Sequence, residues 1–163
     1  MSRPDGLQGA ELIAVALDLL RVAERRRSDA HLRRAVSAAY YAMFHCLSRV
    51  SADRLIQPTD RRGSGRAWVH VYRALQHRHA RKQCLDDDAL MAYPAEIQRF
   101  AAWFAELQEQ RHRADYDPAV TLDTAEVRRV VRYAAKSIRE FERAPEAEQR
   151  AFAAWVLLLA RRS

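Results

Sequence analysis

Residues 97–118 read Ile-Gln-Arg-Phe-Ala-Ala-Trp-Phe-Ala-Glu-Leu-Gln-Glu-Gln-Arg-His-Arg-Ala-Asp-Tyr-Asp-Pro. Ile97, Phe100, Phe104 and Leu107 recur there at intervals of three and four, the stripe that a helix turns toward a core. The next places on the stripe hold Arg111 and then Ala114 with Asp115. Pro118 disfavours helical geometry at Asp117, so the helix is expected to end there. A guanidinium, a carboxylate and the phenol of Tyr116 thus crowd the last turn and a half of a core helix. A charge that faces inward is costly unless it is paired or put to use. Arg111 and Asp115, four residues apart, can form an ordinary ion pair, and a basic residue suits that end of the helix dipole. The same residues can equally be the start of a functional site.

On either side the pattern is helical too. A loose polar tail is expected at 1–7, then a helix over 8–27 with Leu12, Ile13, Ala16, Leu20 and Ala23 on one face. The next, over 30–50, carries a continuous apolar stripe from Leu32 through Val36, Tyr40 and Met43 to Val50, which marks it as the central helix. Its second stripe, Arg34, Ala38, Tyr41 and His45, is more polar, and Tyr41 and His45 are spaced to share a pocket or a helix–helix contact. Residues 51–65 read as loop by composition. A helix over 66–80 and a solvated acidic connection around Asp86, Asp87 and Asp88 lead to the stretch quoted above. Asp123 followed by Glu126 reads as a capping box that opens a helix to about residue 143. A last helix, 146–161, has Phe152, Trp155, Val156 and Leu159 as an apolar face, to pack across the bundle or join a partner subunit.

The chain of 163 residues, with 4 glycines, 5 prolines and no long strand-like alternation, therefore reads as one all-α domain, an up-and-down bundle of about five to six helices. A net charge of +7 favours acidic partners, nucleic acid above all. Against that, Lys82 and Lys136 are the only lysines, and alanine and arginine in excess also follow from a GC-rich genome. No apolar run is long enough to span a membrane and no signal-peptide pattern is present. Cys46 and Cys84 form no metal or redox motif and suit a reduced, cytoplasmic protein. His77, His79, Cys84 and the three aspartates match no zinc spacing, and no phosphate loop or nucleophile elbow occurs, so neither metal nor cofactor is expected.

The run Leu32-Arg-Arg-Ala-Val-Ser-Ala-Ala-Tyr-Tyr-Ala-Met-Phe-His45, followed at a distance by Arg111-x-x-Ala-Asp-Tyr116, resembles the HEPN family of prokaryotic helical domains. The resemblance covers roughly residues 8–143 and leaves 145–163 as an additional C-terminal helix. It implies a helical bundle that dimerises and acts on RNA, as the toxin of a toxin–antitoxin or defence system whose antitoxin is a small nucleotidyltransferase. Catalytic members of that family carry an arginine, four to six residues, then a histidine, and cleave RNA without a metal. Here four residues separate Arg111 from Tyr116, which stands where the histidine would be. A phenol with a pKa near 10 is a poor base at neutral pH. Arg73 with His79 and Arg26 with His31 also fit the spacing, as chance allows in so arginine-rich a chain.

Three readings stay open. In one the chain is a metal-independent endoribonuclease with Arg111, Asp115 and Tyr116 as catalytic residues and Arg113, His112, Tyr41 and His45 as nucleic-acid contacts. In the other it is a non-catalytic module that binds a nucleotide, nucleic acid or a cognate nucleotidyltransferase. A scaffold role for the last helix is a third.

Overall fold

The computed structural model describes residues 8–56 and 63–159, and every regular element among them is a helix. They are α1 (Gly9–Arg26), α2 (Asp29–Leu55), α3 (Gly63–Ala74), α4 (His77–Cys84), α5 (Asp87–Leu90), α6 (Ala95–Tyr116), α7 (Thr124–Arg143) and α8 (Glu146–Leu157). The tail expected at 1–7 and the middle of the loop expected at 51–65 lie outside the described residues.

α2 is the axis of the bundle and packs on α1, α3, α6, α7 and α8. Ala35, Ala39 and Ala42 are fully buried along it, and small residues at these places let neighbouring backbones approach. Gly9 of α1 is one such place, where an added Cβ would stand 3.1 Å from the Ala42 carbonyl oxygen. α6 turns Ile97, Phe100, Phe104 and Leu107 inward as its spacing requires. Phe100 stacks on Phe141 of α7 with centroids 4.2 Å apart, and Phe141 in turn meets Phe152 of α8 edge-on. α7 opens on the expected cap, with Asp123 accepting the Glu126 backbone N–H at 3.2 Å. α8 lies across the bundle against α2 and α4, burying Phe152, Ala153 and Val156. Its Gln149 is 1 % exposed but satisfied, donating to the Phe141 carbonyl and accepting from Arg54.

Eight helices among the described residues stand where five to six were expected, and the differences have physical causes. α2 runs five residues past Val50, because Asp53 accepts from the Trp68 indole and Arg54 is held by Gln149, contacts invisible to local composition. The helix expected over 66–80 breaks at residues 75–76, where Gln76 is extended (φ −109°, ψ 126°). Tyr72 bonds to His45 and His77 stacks on Phe44, so both must face α2. In an unbroken helix, residues five apart would point about 140° away from each other, and the break brings both to the same side. The acidic connection contains one helical turn, α5, capped by Asp86 through the Ala89 N–H. α8 ends at Leu157, short of 161, and Leu159, read as part of its apolar face, lies beyond the helix and is 80 % exposed.

Candidate functional site

Arg111 reaches from the last turns of α6 to the face of α2. Its Nε lies 2.8 Å from Asp115 Oδ2, the (i, i+4) pair read from the sequence. The Nε–H is not aligned on that oxygen, so the contact is one of charge rather than a formed hydrogen bond. Nη2 donates to Tyr41 Oη at 3.1 Å. The guanidinium carbon stands 5.4 Å from the Tyr41 ring centroid and 5.8 Å from that of Tyr40, within cation–π range. Asp115 accepts in addition from Ser37 Oγ at 2.6 Å, which ties it to α2. The Arg111 side chain is 20 % exposed, and its Nη1 makes no hydrogen bond among the described residues.

Behind this charge is a layer of aromatic and imidazole rings. Tyr40, fully buried, has its Oη 2.5 Å from His77 Nδ1. Phe44 stacks on the His77 ring at 4.1 Å, and Trp68 stacks on Tyr72 at 5.1 Å. His45 Nδ1 is 2.7 Å from Tyr72 Oη. Burial lowers the pKa of His77, and electrostatic interaction with the Arg111 guanidinium, and with the His45 ring when that is protonated, lowers it further. Burial alone lowers that of His45. Burial also raises Tyr40 well above the usual phenol value, outweighing the opposite pull of Arg111. At neutral pH the group is therefore one fixed cation, two neutral imidazoles and a neutral buried phenol. The Nε2 of His77 makes no hydrogen bond among the described residues, and unlike that of His79 it is not sealed from solvent.

α6 is positioned by Arg33 of α2. Its Nη1 donates to the carbonyls of Ala114 (2.8 Å) and Asp117 (2.9 Å), and its Nη2 to that of Val120 (2.7 Å). Asp29 holds the same guanidinium from the other side at 2.5 Å. The last carbonyls of a helix have no partner within it, and one planar fork supplies donors to two of them and to the turn beyond.

Of the residues singled out in the sequence, Arg111, Asp115 and Tyr41 come together, and His45 lies beside Tyr41 with ring centroids 6.2 Å apart. Tyr116 is 67 % exposed and packs on His112 at 5.0 Å; no hydrogen bond or ring contact joins it to Arg111 among the described residues. Arg113 stands elsewhere again, on a groove between α6 and α7. Of the stray spacing matches, Arg73 is exposed on α3 while His79 Nε2 is buried, and Arg26 is exposed while His31 bonds to Ser28. Ser37, Tyr40, Phe44, Tyr72 and His77 belong to the cluster without having been read as site residues. The signal that Tyr40, Tyr72 and His77 did carry was the recurrence of tyrosine and histidine on α2, α3 and α4, which the fold brings together.

Among the described residues no group of three or more histidine, cysteine or acidic side chains converges as a metal site would, and no helix is long and apolar enough to cross a membrane. The family model of the HEPN domain matches residues 10–144. No curated protein and no solved structure matched the chain.

Proposed function

The chain belongs to the HEPN domain family, and from that membership, which supports a general RNA-related or nucleotide-binding role, we propose a metal-independent endoribonuclease centred on Arg111 and His77. The observation that carries it is a guanidinium with one free nitrogen and, joined to it through the Tyr40 and Tyr41 rings and within its electrostatic reach, an imidazole with one unengaged nitrogen. In the tautomer whose Nδ1–H donates to Tyr40 Oη, His77 Nε2 holds a lone pair able to accept the proton of an RNA 2′-hydroxyl. The 2′-oxygen then attacks the adjacent phosphorus, and Arg111 Nη1 stabilises the charge that gathers on the phosphate oxygens. The 5′-oxygen leaves with a proton from water, giving a 2′,3′-cyclic phosphate and a 5′-hydroxyl end. His77 supplies from another helix the imidazole that Tyr116 does not provide on α6. Asp115, Ser37, Tyr41 and Arg33 hold the guanidinium in place.

The wider setting we propose is the toxin of a toxin–antitoxin or defence pair, with a small nucleotidyltransferase as antitoxin and a homodimer that brings two Arg111–Tyr116 segments near each other. Family resemblance and the net charge of +7 support it. The second reading, a non-catalytic module, is favoured by the ion pair that already engages Arg111.

Induced expression of wild type, Arg111→Ala, His77→Gln and Tyr116→Phe, followed by total-RNA integrity, separates the readings. Wild type and Tyr116→Phe are expected to degrade RNA, and the other two to leave it intact. Loss of cleavage in Tyr116→Phe would move the chemistry to the phenol. Salt-dependent RNA binding without cleavage by wild type would establish the binding module instead. Light scattering at tens of micromolar tests the dimer, and a monomer there would sink that part.

A further inference from the structure

A separate groove lies between the C-terminal half of α6, the turn at 117–123 and the first half of α7. Its volume is about 390 Å³, within the size range of small-molecule sites. Val36, Val127 and Val130 supply apolar lining, and Trp103 and Tyr133 form an aromatic wall with ring centroids 5.5 Å apart. Arg113 and Arg129 also line it. Arg113 is two residues from Arg111, which turns it about 200° away around the helix; this groove and the Arg111 cluster are distinct places.

The polar groups of the groove are unevenly used. Glu106 accepts from Gln110 at 2.9 Å, and Glu126 sits in the first turn of α7, where the helix dipole favours a carboxylate. Arg113 and Arg129, by contrast, have neither an ion pair nor a hydrogen bond among the described residues. Both are exposed, and other exposed arginines such as Arg73 and Arg139 also lack a carboxylate among the described residues, so what sets these two apart is their place on the aromatic groove. The Trp103 indole N–H is buried without an acceptor, whereas those of Trp68 and Trp155 donate to Asp53 and to the Gln83 carbonyl. Two planar cations beside an aromatic wall and an apolar floor complement a ligand with an anionic end and a flat or apolar body.

We propose that this groove binds a small organic anion, a carboxylate or a phosphate monoester bearing an aromatic or apolar group. The anion sits on Arg113 and Arg129, and the body lies against Trp103 and Tyr133. The site is independent of the RNA reading and survives its failure.

The three indole N–H signals in a ¹H–¹⁵N spectrum provide the test, with Trp103→Phe assigning the one of interest. Phenyl phosphate and phenylacetate are titrated into the full chain, with inorganic phosphate and benzyl alcohol as anion-only and ring-only probes. The Trp103 indole is expected to shift saturably with one or both aromatic anions at millimolar or lower concentration. The two single-feature probes should bind at least about tenfold more weakly, because each lacks half of the contacts. The stronger aromatic anion identifies the headgroup. Arg113→Gln with Arg129→Gln should weaken binding about tenfold or more at an unchanged thermal midpoint, and Arg111→Gln should leave it as in wild type. No saturable shift with either aromatic anion, equal binding by the double variant, or equal binding of benzyl alcohol would each overturn the proposal.

Discussion

Arg33 takes no part in the proposed proton transfer, yet three backbone carbonyls and one carboxylate converge on its guanidinium. Arg33→Met keeps much of the stem and removes all the donors, leaving the Ala114 and Val120 carbonyls unpaired and the Asp117 carbonyl with only its long bond from the Val120 N–H. That should cost about 3 kcal/mol in urea unfolding and should also weaken any RNA binding, because the turn that orients Asp115 loses its anchor. Arg33→Lys should recover little of it, since an ammonium cannot reach three acceptors in a plane. The two imidazoles predict a pH dependence whose sign follows from their direction of shift. His77 and His45 lie below the ordinary value of 6.5 in the folded chain. As pH falls below 6.5, the unfolded chain takes up protons that the folded one refuses. Their contribution to stability is therefore complete above 6.5 and lost on acidification. Urea midpoints at pH 7.5 and 5.5 should differ accordingly, and the difference should shrink in His45→Gln with His77→Gln. The Arg111–Asp115 pair was legible in the sequence because helical spacing alone joins residues four apart. His77 was not, because its partners Tyr40 and Phe44 lie on a helix more than thirty residues earlier.

At the scale of elements, local signals served well where they were local. The N-cap at Asp123, one half of the expected box, and the inward stripe of α6 are both seen. They failed where a tertiary contact overrides composition, as when Trp68 and Gln149 hold the end of α2 in a stretch that reads as loop. The break at residues 75–76 is of the same kind, since nothing within 66–80 announces that Tyr72 and His77 must face the same way. α8 is the element whose place was left open, and it is built into the bundle rather than held apart from it. Phe152, fully buried against Phe141 and Tyr93, gives a measure of this. Phe152→Ala should destabilise by about 4 kcal/mol in a single cooperative transition. A small loss, or a separate early transition, would show α8 to be an appendage.

For the molecule as a whole, the all-α class and the family could be read from scarce glycine, helical periods and two motifs in order. The working arrangement could not, because it joins α2, α4 and α6 across long separations in the chain. α1 and α2 share the most extensive contact of any helix pair, and only Arg27 and Ser28 separate them. Arg27 makes the turn in the left-handed region at φ 49°, where its side chain is mildly strained. A helical hairpin closed by so short a connection pays little loop entropy and is suited to nucleate folding. Truncations at its seam, such as Leu20→Ala, should then slow refolding, whereas Phe152→Ala should chiefly speed unfolding. Arg27→Gly, relieving the turn, should quicken refolding. Stopped-flow traces would thus date the parts of the protein, with the hairpin earliest and the Arg111 centre among the last to mature.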